Sequence, residues 1–125
     1  MKIKAFVFFI IFLVLVLYRG IDMNRNHIIT ASEAREIMRT NQGVIVLDVR
    51  TPDEFATGKI PGATLLPSYS IREMARVVLP KKDALILVYC RSGVRSRDAV
   101  YELFSLGYTN VYDFGGINAW PYERE

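Results

Sequence analysis

Two short runs, VIVLDV (44–49) and ALILVY (84–89), are almost wholly apolar without alternation, and each is flanked by residues that start or stop helices. A strand with one wet face alternates apolar and polar positions, so unalternating runs of this kind are buried on both faces, as in a parallel sheet packed by helices on each side. The segments between them fit that scheme. Thr30-x-x-Glu33 opens a helix that ends near Gly43 and turns Ala34, Ile37 and Met38 to one face. Thr51-x-x-Glu54, with Pro52 in the first helical position, opens a helix of about two turns that closes at Gly58. Ser70-x-x-Glu73 opens a third with Ile71, Met74, Val77 and Val78 on its buried side, and SRDAVYELFSLG a fourth, with Ala99, Val100, Leu103 and Leu106 inward and Gly107 as its stop. A short strand near Ala63–Leu66 is bounded by prolines, which puts it at a sheet edge, and NVYDF (110–114) is the last strand. The spacing therefore predicts an α/β fold, a mainly parallel central sheet flanked by helices on both faces. Ligands of such sheets meet the carboxyl ends of the strands, and the chain's one cysteine, Cys90, stands there.

The block AFVFFIIFLVLVLY (5–18) belongs to no such unit. Flanked by Lys2, Lys4 and Arg19, it has the character of a targeting segment. It is short of the roughly 20 residues that span a bilayer comfortably, but Ile3 and the long basic stems extend its reach. No small-x-small cleavage pattern follows, so an uncleaved anchor is expected over residues 1–20, with residues 3–18 in the membrane, a linker over 21–27 and the domain over 28–123. Basic residues nearly balance across the block. The terminal amine tips the count toward an inside N-terminus and a domain facing away from the cytoplasm, with secretion after cleavage or a cytoplasm-facing domain as the alternatives. This segment also accounts for the chain's formal charge of +3, since Lys2, Lys4, Arg19 and Arg25 outweigh Asp22 and leave twelve basic and twelve acidic residues from His27 onward. The high pI of about 9.1 is thus no argument for nucleic acid.

One cysteine excludes an internal disulfide or a multi-cysteine zinc site, and one histidine, His27, excludes a histidine cluster. No metal and no cofactor are expected. The loop after the second long strand, CRSGVRS (90–96), is where chemistry concentrates. A cysteine there also suits a small core hydrophobe. Its surroundings favour more: Gly93 allows a positive φ, and the N–H groups of Arg91, Ser92, Val94, Arg95 and Ser96 can turn inward at the start of a helix, a cradle that stabilises an anion. The nearest anion is the Cys90 thiolate, kept accessible for reaction. Arg91 and Arg95 add positive charge for an anionic substrate, with Arg95 expected to face the pocket and Arg91 solvent. A Cys–His protease is disfavoured because His27 lies outside the domain. Thiol phosphatases of the tyrosine-phosphatase kind place an arginine six residues after the cysteine, where this chain has Ser96.

CRSGVRS resembles the active-site loop of single-domain rhodaneses, the thiosulfate and persulfide sulfurtransferases. LDVRTPDEFATGKIPGATLLP (47–67), LVYCRSG (87–93) and FGGINAW (114–120) are similar to further stretches of that family, in the same order. Lys59 departs from the histidine the family often has before Ile-Pro-Gly-Ala. The resemblance implies a rhodanese-like three-layer fold and a catalytic Cys90 that takes a sulfane sulfur from thiosulfate, a polysulfide or a persulfide. The Cys90 persulfide would be held by Arg91, Ser92, Gly93, Val94, Arg95 and Ser96, and its outer sulfur passed to cyanide or a thiol. It implies a small sulfur-containing anion as donor and no nucleic acid, and leaves any protein partner open. A sulfur carrier or binding module that does not turn over is the alternative; a phosphatase or arsenate reductase is a distant third. Asp48 and Arg50, at the end of the first strand, suit an ion pair beside the site better than substrate contact. Gly62, Gly115 and Gly116 suit turns of unusual φ, and Phe55 and Trp120 the core.

Overall fold

The computed structural model describes residues 2–25 and 27–125, with side chains for residues 3–15 and from His27 onward. The elements are α1 (Lys2–Arg25), α2 (Ala31–Thr40), β1 (Ile45–Asp48), α3 (Pro52–Ala56), β2 (Thr64–Leu65), α4 (Ile71–Val78), β3 (Ile86–Cys90), α5 (Val94–Ser105) and β4 (Val111–Gly116), with single 3-10 turns at Ser68–Ser70 and Ile117–Ala119. The four strands form one sheet in the order β2-β1-β3-β4, every pairing parallel. The fold is the α/β architecture that the sequence predicts, with the long apolar runs as the central strands and β2 at the edge.

Because side chains alternate across a strand, one doubly buried strand feeds two cores. Ile86, Val88 and Cys90 of β3 join Leu47, Val49, Ile71, Val100 and Leu103 on the α4/α5 side. Leu87 and Tyr89 join Ala34, Val46, Ile60, Phe114 and Trp120 on the α2 side. Cys90 therefore points toward the helix that begins just after it.

The capping boxes at Thr30 and Thr51 both form, each with reciprocal hydrogen bonds to Glu33 and Glu54. The one at Ser70 does not. A cap needs an extended residue ahead of the helix, whereas Ser70 has φ −108° and ψ −1° because the 3-10 turn runs straight into α4. The buried stripe of α4 is also rotated from the expected one. Ile71 and Ala75 point inward with Leu79 beyond them, at i, i+4, i+8, while Met74 and Val77 are exposed.

His27 is part of the domain and not of a linker. Its carbonyl accepts the Asp113 N–H at 2.6 Å, the Ile29 N–H donates to the Asp113 carbonyl at 2.9 Å, and its ring is buried with edges on Tyr101 and Phe104. Helix α1 continues through residues 21–25, where the sequence suggests a linker. Among the described residues no helix is long and apolar enough to cross a membrane. The expected anchor includes residues 16–18, whose side chains lie outside those described, as does position 26 of the expected linker.

Candidate active site

β3 ends at Cys90, and the chain turns at Gly93, with φ 109°, into the first turn of α5. That left-handed glycine brings its own N–H back to Sγ, to which it donates at 3.0 Å. The Ser96 hydroxyl oxygen lies 3.5 Å from Sγ on the other side. It is fixed there because it donates to the carbonyls of Gly93, at 3.1 Å, and Gly115, at 3.4 Å. The amide that reaches the sulfur is that of Gly93, which is not one of the five expected to turn inward; among the described residues none of those five bonds to Sγ.

β4 clamps the loop from the side. It runs two residues past Phe114, Gly116 pairs with Cys90 across a register shift, and the Asn118 N–H donates to the Arg91 carbonyl at 3.1 Å. Gly115 has φ 90°, as a turn glycine would, but Gly116 sits at an ordinary φ of −118°. Its lack of a side chain matters for another reason: a Cβ there would overlap the Arg91 carbonyl and the Ser92 Cα. The result is a thiol only 1% exposed, where the sequence suggested an accessible one.

Of the two loop arginines, Arg95 departs from expectation and does not line the cleft beside the loop. Arg95 closes both ends of its guanidinium on Glu54, with Nη1 to Oε1 at 2.6 Å and Nη2 to Oε2 at 2.9 Å. Arg91, expected to face solvent, is exposed and lines a cleft of about 580 Å³ together with Arg50, Asp53, Glu54, Asn118 and Arg124. Cys90 does not itself line this cleft, but the residue that follows it, Arg91, does. The hydrogen bond from Arg95 holds the Glu54 carboxyl down to about 2, and the same bond raises Arg95 above its usual value.

Asp48 and Arg50 form the ion pair that the sequence suggests, wholly buried. Arg50 Nη2 lies 2.7 Å from Asp48 Oδ2, and it also donates to the Gly58 carbonyl at 2.6 Å. Burial is the largest single influence and works against the Arg50 cation, but the hydrogen bond and charge of Asp48, with those of Tyr89, together outweigh it and its pKa is raised. The Tyr89 hydroxyl donates to Asp48 Oδ2 at 2.6 Å and accepts the Ile60 N–H at 3.1 Å. Burial, reinforced by Asp48, raises the Tyr89 phenol well above the ordinary range. This network ties the ends of β1 and β3 to the loop before β2. Tyr89 and the partnership of Glu54 with Arg95 escaped sequence reasoning. For Tyr89 the available signal was strand parity, which places the residue before Cys90 on the opposite face, in register with Asp48. Among the described residues no three His, Cys, Asp or Glu side chains are grouped as metal ligands.

A family model described as Rhodanese-like domain matches residues 30–123. A sulfurtransferase from Allochromatium vinosum is 42% identical over 80 residues, covering 63% of this chain and 73% of that protein. A thiosulfate sulfurtransferase from Pseudomonas entomophila is 38% identical over 80 residues, covering 63% and 72%. Among solved structures, a rhodanese-like domain protein from Staphylococcus aureus superposes with a TM-score of 0.66 at 34% identity, over 77% of this chain and 92% of that one. A rhodanese with anions from E. coli gives 0.62 at 28% identity, over 66% and 96%.

Proposed function

The chain belongs to the rhodanese-like domain family and is a sulfurtransferase, and from that premise we propose that Cys90 is its sulfur carrier, thiosulfate or a persulfide its donor, and cyanide or a thiol its acceptor. The Cys90 thiolate attacks the sulfane sulfur of thiosulfate. A sulfur–sulfur bond forms, the one in thiosulfate breaks, and its electron pair leaves with sulfite. The outer sulfur of the Cys90 persulfide then bonds to the acceptor, cyanide giving thiocyanate and a thiol giving a new persulfide, while the electron pair returns to Cys90 as thiolate.

The observation that supports this most is the Gly93 N–H aimed at Sγ from the start of α5. Such a donor favours a negative sulfur and serves thiolate and persulfide alike. Arg91, Ser92, Val94, Arg95 and Ser96 shape the loop that holds the extra sulfur.

Intact mass of the protein after incubation with thiosulfate should show one added sulfur, lost on adding cyanide with release of thiocyanate. Cys90→Ser should abolish both steps at unchanged circular dichroism. Added sulfur on the Cys90→Ser protein would overturn the assignment. A stable persulfide that cyanide does not discharge would point instead to a carrier module.

We also propose that α1 places the domain at a membrane, facing away from the cytoplasm. The support is its surface, since the apolar side chains from Ile3 to Leu15 are all exposed on every side of the helix.

A further inference from the structure

The cleft beside the loop is close to electrically balanced. Arg50 is neutralised by buried Asp48. Of the remaining charges, Arg91 and Arg124 on the walls and Arg95 just behind them face Asp53, Glu54 and Glu125. Arg124 Nη2 is engaged by the carbonyls of Ile117 and Trp120, at 2.6 and 3.3 Å. Among the described residues no carboxylate lies within ion-pair distance of Arg91. A sulfur donor approaching Cys90 therefore meets one guanidinium from the loop itself.

What removes the second is Glu54. Its two oxygens take both ends of Arg95, and its Oε1 is also held by the Thr51 N–H and hydroxyl, each at 3.2 Å, as part of the capping box of α3. A bidentate, partly buried pair of this kind neutralises its arginine more effectively than a mobile surface acid could. Arg95 stands in the first turn of α5, one residue before Ser96, whose hydroxyl oxygen lies 3.5 Å from the sulfur. Resting on the proposed sulfur chemistry, we infer that Glu54 is a specificity-determining residue for the donor: by closing on Arg95 it lowers the attraction of the loop for doubly charged donors relative to singly charged ones.

Thiosulfate and methanethiosulfonate separate charge from chemistry. Both offer a terminal sulfane sulfur; the first is a dianion that leaves sulfite, the second a monoanion that leaves methanesulfinate. With the full chain and cyanide as acceptor, Glu54→Gln should raise the ratio of kcat/KM for thiosulfate over methanethiosulfonate about threefold or more, mainly through a lower KM for thiosulfate. Glutamine retains the oxygen that caps α3, so the variant should fold as wild type. Arg95→Gln should move the ratio the other way, and the double variant should return it toward the wild-type value. Asp53→Asn, which removes an acid on the same cleft that holds no loop arginine, should change it less. A ratio unchanged or lowered in Glu54→Gln, or an equal rise in Asp53→Asn, overturns the inference.

A second readout does not depend on sulfur transfer. The rate of Cys90 alkylation by anionic iodoacetate relative to neutral iodoacetamide should rise in Glu54→Gln, since dividing the two rates cancels the state of the thiol. If wild type turned over neither donor, the proposed chemistry would be wrong, while the alkylation ratio would still decide the role of Glu54.

Discussion

Single atoms decide the geometry around the sulfur. The backbone of β4 passes so close to the loop that Gly116 has no room for a methyl group, and what it would strike is the Arg91 carbonyl and the Ser92 Cα, neither of which can move by a change of rotamer. Gly116→Ala should therefore displace residues 91–93, weaken the Gly93 bond to Sγ and cost about 1–3 kcal/mol of stability, as overpacking does elsewhere. Thermal melting and thiocyanate formation measured together test this: a normal melting temperature with full activity would mean the strand and loop are not in contact. The sequence made Gly116 look like a turn residue because a glycine's need for space leaves no local trace. Cys90, Gly93 and the Asp48–Arg50 pair were legible, since each acts on groups within a few positions of itself. Tyr89 and Glu54 were not, because their partners come from 41 residues away and are set by strand register and helix placement.

Elements are held to one another by few polar ties, and the link between α3 and α5 is made by Glu54 and Arg95. The folded-state pKa of Glu54 is depressed, from an ordinary 4.5 to about 2, chiefly by the Arg95 hydrogen bonds. A depressed carboxylate contributes stability that is present above its unfolded value and is lost as pH falls toward the folded one. The contribution should thus be full at neutral pH and fade between about pH 4.5 and 2. Because both side chains are partly solvated, it should amount to about 1 kcal/mol. Urea melts of wild type and Glu54→Gln should differ at pH 6 and converge near pH 2; a constant gap across that range would locate the effect in packing. The starts of α2 and α3 were readable because each depends on a box of four residues, whereas their ends, at Thr40 and Ala56, come before the glycines expected to stop them. At α4 the pattern found the start but not the cap, because a preceding turn, invisible to it, had already given Ser70 near-helical angles.

At the scale of the molecule, a domain with two ordinary cores carries a helix whose described side chains belong to neither. Eleven large apolar side chains between Ile3 and Leu15 are exposed, and leaving even one such group in water forgoes about 1.5–3 kcal/mol. Something apolar must cover them, and a lipid bilayer covers every side at once. Membranes from cells expressing the full chain should keep it through a carbonate wash and release it to detergent. Release by carbonate alone would mean that the helix is covered by protein, with self-association as the first thing to measure. The side of the membrane matters for the sulfur, because an oxidising compartment would trap an open thiol as a mixed disulfide. A cysteine only 1% exposed is shielded from large disulfides. That shielding fits a domain outside the cytoplasm. Protease added to intact cells should then digest the domain and spare cytoplasmic controls, whereas protection until lysis would reverse the topology.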